Sequence, residues 1–164
     1  MNRKIVFLLV LPLTIILYSC DTKNNDAVKA EVTSDVVEKG NLKITNAWIR
    51  PAAAGMNTAF FFNVYNSSEI ADTLLGADSE IAEVVEVHET FTKGEDMMGM
   101  RSVNFVEIPA GTNFEFKPMH HHVMLIKVVN DLKMDDEKLL KLNFKNAGEI
   151  EVRAKVIDKK IMKH

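Results

Sequence analysis

The sequence predicts an all-β domain, an antiparallel sandwich or small barrel. Seven or more short apolar segments recur at about ten-residue spacing between residues 42 and 157. They are rich in Val, Ile, Leu and Phe, and turn clusters such as Pro109-Ala110-Gly111, Asn130-Asp131 and Asn146-Ala147-Gly148 separate them. No comparable stretch carries a sustained helical period, so helix is expected to be minor.

Each element has its own signal. Residues 42–50 (LKITNAWIR) set Leu42, Ile44 and Trp48 among polar neighbours, as a half-buried strand does, and PAAAG (51–55) ends the run. NTAFFFNVYN (57–66) is aromatic and β-branched and stops at Asn66-Ser67-Ser68. EIAEVVEVHE (80–89) offers Ala82, Val85 and Glu89 to a helix, but Val84, Val85 and Val87 favour a strand that ends at His88. The remaining segments are MGMRSVNFVEI (98–108), TNFEFKP (112–118), HHHVMLIKVV (120–129), KLLKLNF (138–144) and EIEVRAKVI (149–157). No internal repeat and no second domain are visible.

Ahead of this domain the chain reads as an export signal and a tether. MNRK is basic, residues 5–17 are apolar and contain Pro12, and DTKNND begins a polar stretch. The apolar run is shorter than the roughly 20 residues that a membrane-spanning helix needs. Leu17-Tyr18-Ser19-Cys20 resembles a bacterial lipobox, which implies a signal peptide over 1–19 and lipidation of Cys20. Several acyl chains on one residue would hold the protein at a membrane, where one chain would not. Residues 20–40 are then a flexible tether, 41–158 the β domain and 159–164 a short basic tail. Removing Arg3 and Lys4 with the signal takes the formal charge from −3 to −5. Mild acidity gives nucleic-acid binding no support.

The donor atoms are unevenly spread. Residues 88–124 hold five of the nine methionines (Met97, Met98, Met100, Met119, Met124) and four of the five histidines (His88, His120, His121, His122). Even spreading would place about two and about one there. Any one methionine alone is most simply a core filler. The group is harder to explain that way, because Met97, Met98 and Met100 stand beside KGED in a loop-like segment, where oxidation threatens an idle thioether. On a strand His120, His122 and Met124 would share one face, and His121 would point to the other.

Thioether and imidazole together suit Cu(I) better than zinc, magnesium or calcium. Two His and two Met make a neutral set that favours a monovalent soft ion. A blue-copper centre needs a cysteine thiolate, and the one cysteine, Cys20, stands at the lipid end.

The spacing His88-x11-Met100-x21-His122-x-Met124 resembles the motif of the periplasmic copper chaperones called PCuAC. That motif is a His, about ten residues, a Met, twenty-one residues and His-x-Met; the first gap is one residue longer here, which keeps Met98 as a substitute for Met100. AWIRPAAAGMNTAFFF, VEVHE, GMRSV, VEIPAGTNFEFKP and HHVMLIKV extend the likeness over residues 42–155. The resemblance implies a cupredoxin-like Greek-key β-barrel with one exposed Cu(I) site, held by His88, Met100, His122 and Met124, with Met98 and His120 in reserve. It also implies a carrier, not an enzyme, on the periplasmic side of a bacterial cell membrane. Its acceptor would be a metalloprotein, typically the copper centre of cytochrome c oxidase. The family's His- and Met-rich tail has only Met162 and His164 to match it.

Other readings compete. The site could store copper or confer tolerance instead of delivering it. His88, His120 and His122 could hold a hydrolytic zinc, with Glu89 or Glu86 as general base, although HETFT is not His-Glu-x-x-His. The histidines could also be ordinary surface residues of an anchored interaction module. Glu95 and Asp96 could steer a partner, but a solvated turn explains them as well.

Overall fold

The computed structural model describes residues 36–94 and 97–159. The expected signal peptide, Cys20, most of the tether, Glu95, Asp96 and the tail beyond Lys159 lie outside the described residues. Eleven strands make up the fold, with no helix among the described residues: β1 Val37–Lys39, β2 Leu42–Ile49, β3 Thr58–Asn66, β4 Asp72–Asp78, β5 Ala82–Thr92, β6 Met98–Ser102, β7 Val106–Ile108, β8 Asn113–Phe116, β9 His122–Val128, β10 Glu137–Phe144 and β11 Gly148–Val156. The all-β expectation holds. Pairing is antiparallel throughout except between β11 and β2, which run parallel.

The strands form one path, β6-β5-β9-β3-β2-β11-β10-β4-β7, with β1 on β2 and β8 on β3. β6 and β7 stand at opposite ends of that path, yet only residues 103–105 join them. So short a link spans about 14 Å at full extension. The two edges must therefore lie close together, and the sheet is rolled into a barrel. Its interior holds Ile44, Ile49, Phe60, Phe62, Val64, Val87, Phe116, Val123, Leu125 and Leu142, all buried. Phe62 stacks on Phe60 at 4.9 Å and on Phe116 at 4.3 Å between ring centres. Burying each such ring contributes about 1.5–3 kcal/mol.

Three differences from the sequence expectation have local causes. Trp48 does not share a face with Leu42 and Ile44. A bulge between Thr45 and Trp48, with Asn46 at φ 54°, inserts an extra residue. Ala47 and Ile49 therefore turn into the barrel, while Trp48 faces outward and stacks on Phe61 at 4.5 Å. β4 escapes the alternation reading because its register slips against β10: Gly76 pairs Asn143 and Leu74 pairs Phe144, so Leu75 is skipped. Val37–Lys39, assigned to the tether, pairs with β2 through the turn at Gly40, whose φ of 59° suits the first position of a tight hairpin.

Candidate metal centre

The donor residues gather on the outer face of β6, β5 and β9. On antiparallel strands, residues directly opposite share a face, and so do residues two apart. His88 pairs with His122, Glu86 with Met124, and Thr90 with Met100. Met100 and Met124 therefore sit on opposite sides of the His88–His122 pair along the strands. Each is a diagonal neighbour at about 7–8 Å, within reach of a long side chain. Met98, two residues before Met100 and opposite Thr92, extends the row.

The two imidazoles lie 5.9 Å apart between ring centres, at 50°. Metal–nitrogen bonds of about 2.0 Å, plus roughly 1 Å from ring nitrogen to ring centre on each side, allow two ligating rings up to about 6 Å apart. The observed separation sits at that limit, which is reached when the two ring nitrogens lie on opposite sides of the ion.

Hydrogen bonding fixes both rings. His122 Nδ1 lies 2.9 Å from the carbonyl oxygen of His120. A carbonyl only accepts, so Nδ1–H donates and Nε2 keeps the lone pair. Burial lowers the His122 pKa below the ordinary imidazole value; the bond to His120 opposes this, and His88, His121 and Arg50 reinforce it. The ring is therefore held neutral, the form that binds metal. His88 Nε2 lies 2.8 Å from Glu86 Oε2, and His88 Nδ1 is buried with no hydrogen-bond partner among the described residues. An orphaned nitrogen of this kind needs a reason.

A cavity of about 410 Å³ opens over this face. His122, Met124, Met100, Met98, Met119 and Thr90 border it, together with Ala59, Phe61 and Arg50. Met98, Met100 and Met119 are at least half exposed. Met124 is partly buried against Trp48, Ala59 and Phe61. His88, paired with His122 on the neighbouring strand, is not among the residues that line the cavity.

His120 is placed differently from the expectation. β9 begins at His122, and Pro118 to His121 form a turn in which Met119 has φ 67°. His120 is exposed, and its carbonyl oxygen accepts from His122 Nδ1. His121 turns away to Phe114 and Phe116, with ring centres 5.4 and 6.3 Å apart, and stands 3.6 Å from Glu89. Burial lowers its pKa and Glu89 opposes this. Glu89 also accepts from Arg101 Nε at 2.6 Å. Among the described residues no three His, Cys, Asp or Glu side chains converge as a zinc hydrolase would need.

Sequence reasoning counted Met119 among the clustered donors without giving it a role, and overlooked Arg50 and the Trp48–Phe61 platform. The Glu86-x-His88 spacing was readable as a same-face pair.

A family profile described as "Putative lipoprotein LpqE-like" matches residues 42–156. The chain belongs to this LpqE-like family. "Putative lipoprotein Lxx21020" of Leifsonia xyli subsp. xyli is 30% identical over 118 residues, 71% of this chain and 70% of the relative. Solved structures show that the LpqE-like chain has the fold of PCuAC domains, as the motif resemblance implied. A copper-bound PCuAC domain from PmoF2 superposes with a TM-score of 0.64 at 21% identity, covering 76% of this chain and 99% of that domain. The solution structure of Cu(I)-DR1885 from Deinococcus radiodurans gives a TM-score of 0.57 at 23% identity, covering 74% and 80%.

Proposed function

We propose that this LpqE-like protein is a lipid-anchored extracytoplasmic copper chaperone. It holds Cu(I) between His88, Met100, His122 and Met124 and passes the ion to an acceptor metalloprotein, such as the copper centre of cytochrome c oxidase. Cys20 carries the anchor and keeps the domain on the outer side of the bacterial cell membrane. One observation carries the reading: two imidazoles are paired directly across β5 and β9 with ring centres 5.9 Å apart, and the hydrogen bonding leaves each with one nitrogen for an ion. The methionines on either side supply the soft donors that select a cuprous ion. The copper-bound PCuAC domain of PmoF2 and Cu(I)-DR1885 support the same cargo.

The arrangement suits transfer. His122 and Met124 belong to β9, which is paired on both sides, whereas the exposed Met100 and Met98 stand on the edge strand β6. An acceptor can displace the edge thioethers first while the strand ligands still hold the ion.

Cu(I) titration against a competing chelator, followed by X-ray absorption, tests the assignment. Two sulfur and two nitrogen neighbours are expected. Fewer than two sulfurs, or equal affinity for zinc, would reject it.

A further inference from the structure

Glu86 supplies none of the four proposed ligands, yet it makes a direct polar contact to one of them. Its Oε2 lies 2.8 Å from His88 Nε2. A carboxylate only accepts, so Nε2 carries the hydrogen and the lone pair of the neutral ring falls on Nδ1. That is the nitrogen left buried and unpartnered. His122 is wired the other way round, with Nδ1–H donating to the His120 carbonyl and Nε2 left open. Two histidines paired directly across β5 and β9 are thus held in opposite tautomers.

The strand period makes this possible. Glu86 precedes His88 by two residues, so both side chains leave the same face, and Glu86 stands directly opposite Met124. Among the described residues no Lys or Arg pairs with Glu86, so its carboxylate is committed to His88. Glu89, the other acid considered as a base, is taken by Arg101 and His121.

We infer that Glu86 is a positioning residue, which fixes the His88 ring so that Nδ1 binds the ion while His122 binds it through Nε2. This rests on the proposed copper site. A carboxylate behind a ligating imidazole orients the ring and makes its free nitrogen a stronger donor. It also places one negative charge beside four neutral donors, which offsets the charge of a cuprous ion without adding an anionic ligand that would slow release.

The test needs a readout on the apo protein. Histidine nitrogen NMR, at a pH above the ordinary imidazole range, should show His88 as the Nε2–H tautomer and His122 as the Nδ1–H tautomer. Glu86→Gln keeps an acceptor oxygen and should keep the His88 tautomer; Glu86→Ala should release it to a mixture. Cu(I) affinity should fall about 10–100-fold in Glu86→Ala and less in Glu86→Gln, with apo thermal unfolding close to wild type. An Nδ1–H signal on His88, or wild-type affinity in Glu86→Ala, would overturn the inference. Cu(I) bound through His88 Nε2 would remove this inference and leave the chaperone reading standing. A wild-type protein that binds no Cu(I) would remove both.

Discussion

His88 and His122 are directly opposed residues on β5 and β9, their ring centres 5.9 Å apart. Register alone brings them together. One ladder pair places two imidazoles, and each adjoining pair along the two strands can add a further donor on the same face. On the same outer face, β3 adds Phe61, which lies 6.1 Å from His122 and stacks on Trp48, giving the site an apolar wall.

That wall makes Met124 a useful probe. Its side chain packs on Trp48, Ala59 and Phe61. Met124→Leu keeps the apolar volume and should cost less than about 1.5 kcal/mol of apo stability. Removing the sulfur should still weaken Cu(I) binding by at least about tenfold, the effect of about 1.4 kcal/mol of lost ligation. Urea unfolding and chelator competition read the two effects separately. Unchanged copper affinity would exclude Met124 from the ligand set.

His120 and His122 should respond very differently to alanine. His122 is 4% exposed and holds an open Nε2, whereas His120 is exposed and contributes its main-chain carbonyl. His120→Ala preserves that carbonyl, so its Cu(I) affinity should stay within a few-fold of wild type. His122→Ala should lose tight binding. Equal losses in both variants would mean that the His120 imidazole reaches the ion.

The contrast between these neighbours marks where sequence reading succeeds. His122 and Met124 were legible because a strand period of two needs no tertiary information. His120 was misplaced because Met119, at φ 67°, turns the chain just before β9 starts. Bulges hid two further features, turning Trp48 outward after Asn46 and breaking the alternation of β4 at Leu75. Composition marked Met97, Met98 and Met100 as a group, and only the motif resemblance singled out Met100 among them. Its alignment with Thr90 depends on the length of the β5–β6 connection, which composition does not encode.

Apo stability should fall with acid. Burial lowers the pKa values of His122 and His121, so the unfolded chain binds protons that the folded chain resists. Their contribution is complete above the unfolded imidazole value of about 6.5 and is lost as pH falls through the lower folded values. Glu89 faces His121 and moderates its share. Urea unfolding across this range should show lower stability on the acid side, with a shallower dependence in His122→Gln. A stability that rises on acidification would contradict the neutral, buried assignment.

Gly99 offers a way to disturb the site without touching a proposed ligand. It pairs with Phe91 across the β5–β6 hairpin, and a Cβ added there would lie 2.8 Å from Phe91 Cζ. The ring lies over the glycine, with the Arg101 guanidinium 5.0 Å from its centre. In Gly99→Ala the ring must lift or β6 must move, and β6 carries Met98 and Met100 on its other face. The hairpin should open more readily in hydrogen exchange, and Cu(I) affinity should drop, while the barrel core keeps its protection. Phe91→Ala removes the obstructing ring, so adding Gly99→Ala in that background should change little. The double-mutant cycle should therefore show coupling of about 0.5–3 kcal/mol in hairpin opening. Additive effects would mean that the ring does not hold β6 in register, and that the thioethers are positioned by something else.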